Sequence, residues 1–215
     1  MLMRKYMLLT GMLLFLAGGS LAQFKIGLQM TPILSTNRIT ADSDTLNIET
    51  NGTGLRFAFG PIIDVQIKEN YYFSSGLLFV SKRAGIEASR PGDAGTPIRE
   101  TYKLQYLRVP LALKLFTNEI SIDKKIYFKL GTTMEFNIEE EAKDKANFLV
   151  DNFKFFDSSL LAGIGLEYRL GVNTTIFGGF TYNRGLLNVV SDQAPLDTDL
   201  TLKNDYVGID LGVKF

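Results

Sequence analysis

Hydrophobic residues recur at every second position through most of this chain. Successive side chains of a strand point to opposite faces, so this alternation marks strands that are greasy on one side only. From Tyr206 to Phe215 it is unbroken: Val207, Ile209, Leu211, Val213 and Phe215 oppose Tyr206, Gly208, Asp210, Gly212 and Lys214. Seven earlier segments repeat it, at about 24–34, 53–68, 71–86, 101–116, 125–138, 153–169 and 173–187. Their apolar rows include Ile26, Leu28 and Met30; Phe57, Phe59 and Ile63; Leu107 to Leu115; Ile126 to Phe136; Leu160 to Tyr168; and Ile176, Phe180 and Tyr182. The segment at 71–86 is apolar on both faces around Leu77–Val80, so its pattern assigns no facing.

The connections sort by length. Glu69-Asn70 and the stretch 170–172 are tight, and 117–124 is of middling length. The stretches 35–52, 87–100, 139–152 and 188–204 are long and polar, and they alternate strictly with the short ones. Most alternating segments exceed the roughly 9–11 residues that a tilted strand needs to cross hydrocarbon. Short turns at one end and long loops at the other are the asymmetry of outer-membrane barrels. The expected fold is all-β: an eight-stranded antiparallel up-and-down transmembrane β-barrel with both termini at the short-turn end. The rival is a soluble, lipocalin-like barrel, which keeps the alternation but turns the apolar face inward.

The first 22 residues predict a secretory signal peptide. Arg4 and Lys5 form a charged start, Met7–Ala17 an apolar core too short to span a bilayer, and Ser20-Leu21-Ala22 a cleavage site. The mature barrel domain then covers 23–215, exported and inserted into the cell outer membrane. Without Arg4 and Lys5 the chain carries 21 basic against 23 acidic residues, too even for a nucleic-acid partner. Expected partners are outer-membrane lipid and the barrel-assembly machinery, which would read Phe215 as a C-terminal assembly signal.

Histidine and cysteine are both absent. That removes the usual bases and nucleophiles of hydrolases and the imidazole and thiolate ligands of Zn²⁺ or haem. No catalytic residue, cofactor or metal ligand is expected. Acidic residues gather in the long stretches, among them Asp42, Asp44, Glu49, Glu139–Glu141, Asp144, Asp192, Asp197 and Asp199, but their spacing matches no Ca²⁺ loop.

Charges of both signs fall on the polar side of the strands: Arg56, Asp64, Arg108, Lys114, Lys129, Glu135, Glu167, Arg169, Asp210 and Lys214. An eight-stranded barrel is just wide enough for side chains to fill it. Unpaired charges there are costly, so these ten residues are expected to pair in a lumen ionic network. In-strand glycines such as Gly131, Gly163, Gly165 and Gly179 are expected to relieve crowding in so narrow a barrel.

Two stretches carry a family resemblance. Tyr106-Leu107-Arg108-Val109-Pro110-Leu111-Ala112-Leu113-Lys114 resembles the tyrosine-leucine-x-valine/isoleucine-proline-leucine run of PorT-like outer-membrane barrels of Bacteroidota. Tyr182-Asn183-Arg184-Gly185-Leu186-Leu187-Asn188 is similar to the tyrosine-x-x-glycine-leucine-x-asparagine segment after their seventh strand. The resemblance implies the same barrel and, through the founding member's link to type IX secretion, a secretion-system or surface partner. It implies no activity. Two functions stay open: a plugged, non-enzymatic barrel with a structural, surface-binding or assembly role, or a narrow porin or small-ligand uptake barrel.

Overall fold

β-Branched and aromatic residues at alternate positions suit a pleated surface with one face out of water. The computed structural model describes residues 24–42, 46–90, 97–143, 149–193 and 199–215, and these form twelve strands. They are β1 (Phe24–Asp42), β2 (Asn47–Thr50), β3 (Gly54–Lys68), β4 (Tyr71–Gly76), β5 (Leu78–Ser89) and β6 (Ile98–Phe116). The others are β7 (Lys124–Ala142), β8 (Val150–Phe153), β9 (Phe156–Arg169), β10 (Thr175–Gly185), β11 (Val190–Gln193) and β12 (Asp199–Lys214). The predicted signal segment lies outside the described residues.

The wall runs β1-β12-β10-β9-β7-β6-β4/β5-β3, and β3 pairs back onto β1, so the sheet closes on itself. β4 and β5 act as one wall strand interrupted at Leu77. Ile62↔Gly76 below the break and Ala58↔Val80 above it keep one register with β3. The break has a local cause at Gly60, where a Cβ would lie 2.2 Å from the Leu77 carbonyl oxygen. Counted this way, the wall has the eight antiparallel strands that the alternation predicts. Closure removes the unpaired edges that an open sheet would expose.

The outward rows form an apolar belt. Leu28, Met30, Phe57, Leu130, Phe180 and Leu211 are all at least two-fifths exposed. From Phe156 to Tyr168 on β9 the belt rises roughly 30 Å at a strand tilt near 40°, about the thickness of bilayer hydrocarbon. Aromatic residues border it: Phe24, Tyr71, Tyr168 and Phe215 at the short-turn end, Phe57, Phe156 and Tyr182 at the other.

The long connections differ from expectation. Most of their length is strand, because β1, β6, β7 and β12 run well past the belt. Above the belt β5 leaves β3 and pairs with β2, and β8 with β11 forms a separate two-stranded sheet. Where β3 stops, Asn37 of β1 takes its place: its amide accepts from Gly85 N and donates to Gly85 O, both at 3.0 Å. This upper barrel is filled with apolar side chains, including Val80, Ala84, Ile86, Leu104 and Leu202, each fully buried. Phe153 stacks edge-on against Tyr102 at 5.2 Å, and Leu149, Val150, Val189 and Val190 complete the same cluster. Burial of each such side chain stabilises by about 1.5–3 kcal/mol.

The second motif has a packing reason. A Cβ on Gly185 would lie 2.4 Å from the Asn204 carbonyl oxygen, so only glycine fits there. The Asn188 amide donates to Leu200 O at 3.1 Å and accepts from Val190 N at 3.2 Å and Leu202 N at 2.9 Å. It stands in for ladder partners where β10 has ended.

Candidate functional site

The lumen is the one place where the fold concentrates chemistry. Beginning at the short-turn end, Lys114 of β6 and Lys214 of β12 meet Asp64 of β3 and Glu167 of β9. Lys114 Nζ lies 2.5 Å from Glu167 Oε1 and 3.3 Å from Asp64 Oδ2; Lys214 Nζ lies 2.5 Å from Asp64 Oδ2 and also pairs with Glu167. Ser74 donates to the remaining Asp64 oxygen at 2.6 Å. Aromatic rings line this quartet: Lys114 sits 4.0 Å from the centre of the Tyr127 ring, and Lys214 5.0 Å from that of Phe177. The Tyr127 ring can lie there only because Gly165 and Gly179 face each other beneath it; a Cβ on either would come within 2.6 Å of its hydroxyl.

One layer higher, Lys129 Nζ is 2.7 Å from Asp210 Oδ2, and Thr31 and Gln29 donate to Asp210 Oδ1 at 2.9 and 3.1 Å. Above that, Arg108 and Glu135 are direct cross-strand partners, with Arg108 Nε 2.7 Å from Glu135 Oε1. Glu135 also lies directly opposite Asp157 on β9, a like-charge pairing that would be destabilising alone. Lys82 of β5 resolves it by pairing with Glu135 and reaching Asp157 at 3.3 Å. Arg108 donates to the Tyr206 hydroxyl, and Thr133 to Glu135 at 3.0 Å.

The three layers hold five cations (Lys82, Arg108, Lys114, Lys129, Lys214) and five anions (Asp64, Glu135, Asp157, Glu167, Asp210), a net charge of zero. Between the layers, among the described residues, lies a cavity of about 20 Å³. Asp64 and Glu167 of the quartet instead line a vestibule of about 570 Å³ open at the short-turn end, with Lys25, Lys125 and Arg169 also in its wall.

Eight of the ten charges singled out by alternation therefore meet in these layers, and two do not. Arg56 points along the inward row but sits next to the end of β3, half-buried, donating to Leu55 O at 3.1 Å and making no ion pair among the described residues. Arg169 lies at the short-turn rim, half-exposed, 3.2 Å from Glu119 and 3.6 Å from Asp123. Parity gives a residue's face but not its height, and both sit at strand ends. Lys82 and Asp157 are not among those ten. Asp157 was accessible by extending the row Glu167, Gly165, Gly163 backward; Lys82 was hidden in the strand that is apolar on both faces. Among the described residues no three carboxylates converge as a cation site, and Asp44, Asp144 and Asp197 lie outside those residues.

The outer membrane protein beta-barrel domain model matches residues 18–191. This chain belongs to that family. As an outer-membrane barrel it is similar in fold to OprG from Pseudomonas aeruginosa, at 12% identity and a TM-score of 0.58, covering 90% of this chain and 96% of OprG. It is likewise similar to Neisserial surface protein A, at 12% identity and a TM-score of 0.53, covering 90% of this chain and 97% of the other. A search of curated proteins finds no match. At such identity the likeness concerns the barrel fold alone; membership of the outer-membrane family is what places the apolar belt in lipid.

Proposed function

We propose that this outer-membrane barrel is a non-conducting, non-enzymatic anchor whose long-strand end, facing the cell exterior, is its working surface. The observation that carries this reading is the charge-neutral lumen, layered with ion pairs and capped by apolar side chains. An ion entering it would have to part pairs that are almost fully desolvated, which costs several kcal/mol per pair. The test is single-channel recording in a planar bilayer. No discrete conductance steps are expected; steps of defined size would overturn the reading in favour of a narrow porin.

An accessory role in protein secretion is the finer proposal, supported by the resemblance of 106–114 and 182–188 to PorT-like barrels. On this view the vestibule at the short-turn end, next to the termini, meets a periplasmic component. Deleting the gene should remove a coherent set of exported proteins from the secreted proteome. An unchanged proteome would leave a surface-binding role for the outer end. The signal peptide over 1–22 and the reading of Phe215 by the assembly machinery belong to the same proposal. Phe215→Ser should then reduce the amount of folded barrel in the membrane, measured by heat-modifiable mobility, while leaving export intact.

A further inference from the structure

The outer rim of the belt is electrostatically lopsided. On the wall made by β10, β12 and β1, the outward positions above the apolar rows are Arg184 on β10, Asp205 and then Lys203 on β12, and Thr36 and then Arg38 on β1. Arg184 pairs with Asp205 across β10 and β12, and Lys203 with Arg38 across β12 and β1. Arg38 is committed: Nε lies 2.6 Å from Asp205 Oδ2, and Nη2 donates to Gly185 O at 2.7 Å. Asp205 is committed as well, since its other oxygen accepts from Gly185 N at 2.9 Å. Arg184 and Lys203 form no ion pair among the described residues. Some other cations above the belt do have partners, as with Lys103 and Glu141 at 3.5 Å or Arg99 and Glu87 at 2.9 Å. The β7 wall carries the exposed acids Glu139, Glu140 and Glu141.

Arg184 and Lys203 stand on diagonal cross-strand positions, where neighbours lie roughly 7–8 Å apart. That spacing lets a guanidinium fork and an ammonium bracket one tetrahedral anion. Below Arg184 the next outward side chain is Tyr182; below Lys203, beyond the committed Asp205, it is Val207, with Leu34 beside it on β1, and these three are between 43% and 50% exposed, which makes them belt residues. A ligand that matches both parts is anionic at the interface and apolar below it. We propose that Arg184 and Lys203, braced by the Arg38–Asp205 pair, hold the phosphate of an anionic glycolipid of the outer leaflet, with its acyl chains along Tyr182 and Val207. The inference rests on the orientation given above, with the long-strand end outside.

The test uses the purified full-length mature barrel in mixed micelles with diphosphoryl lipid A or its dephosphorylated form, and lipid retention is read by native mass spectrometry. Wild type should retain the phosphorylated lipid roughly thirtyfold better, the scale of two interfacial cations. Arg184→Gln with Lys203→Gln should bring the ratio to near one. Arg184→Lys with Lys203→Arg should keep it, as should Lys25→Gln with Lys125→Gln at the short-turn end. Cold-detergent mobility checks that every variant is folded. No preference in wild type, or a preference that survives in the Gln double variant, overturns the proposal. Micelles have no sides, so orientation is tested separately on whole cells. The chain has no cysteine, so Thr53→Cys should react with an impermeant maleimide and Glu69→Cys should not. The reverse labelling would overturn the orientation without touching the micelle result.

Discussion

The lower and upper halves of this barrel are built on opposite rules. Within the belt, β6 turns Leu107, Val109, Leu111, Leu113 and Leu115 outward and Arg108 and Lys114 inward. A few residues higher the same strand turns Lys103 outward and buries Tyr102 and Leu104. β12 does the same, with Asp210 and Lys214 inside the belt region and Leu200 and Leu202 inside above it. In both strands the parity is unbroken while the polarity inverts. The cause is the medium outside. Lipid demands an apolar exterior and leaves the interior to charges that must pair, whereas water lets the apolar residues move inside as they do in a soluble barrel. Both rival readings of the alternation are thus correct, each for one half.

This contrast can be broken from either side. The largest effect is expected at Glu135→Gln, which leaves Arg108 and Lys82 buried with Asp157 as their only carboxylate. The loss should be about 3–5 kcal/mol, read as a lowered urea midpoint for the refolded barrel. In the upper half, Leu104→Ala opens a cavity in a fully buried apolar layer and should cost about 2–5 kcal/mol by the same measurement. Leu211→Arg, outward near the middle of the belt, should cost about 2–4 kcal/mol. Thr201→Arg, outward on the same strand but above the belt, should change stability by less than about 0.5 kcal/mol. If Leu211→Arg and Thr201→Arg shift the midpoint equally, the boundary between the halves is misplaced.

The inversion also explains what could be read from the residues alone. The lower half was legible almost residue by residue, because apolar-out and charged-in is a two-period signal against a uniform solvent. Val207 to Phe215 stand on the predicted face without exception. The upper half looks like polar loop in the sequence, because its outward residues are hydrophilic and its buried ones are scattered among them. At Leu77–Val80 the two regimes overlap, so the strand shows no clean face and Lys82 was lost in it. Arg56 and Arg169 show the complementary failure. Their faces were right, but ion pairing needs height as well, and height depends on the stagger between neighbouring strands, which alternation does not encode.

The ring closes where β1 pairs with β12, from Gly27↔Lys214 to Asp42↔Asp199. No other seam joins strands so distant in the chain. The longest loop closure of the molecule is therefore a single late event, since β1 has no second neighbour in the wall until β12 has been made. Folding of this kind has high contact order and is slow. In the interval, both β1 and the growing end carry unpaired strand edges, and those edges rather than the finished surface are where the nascent chain is most exposed to aggregation.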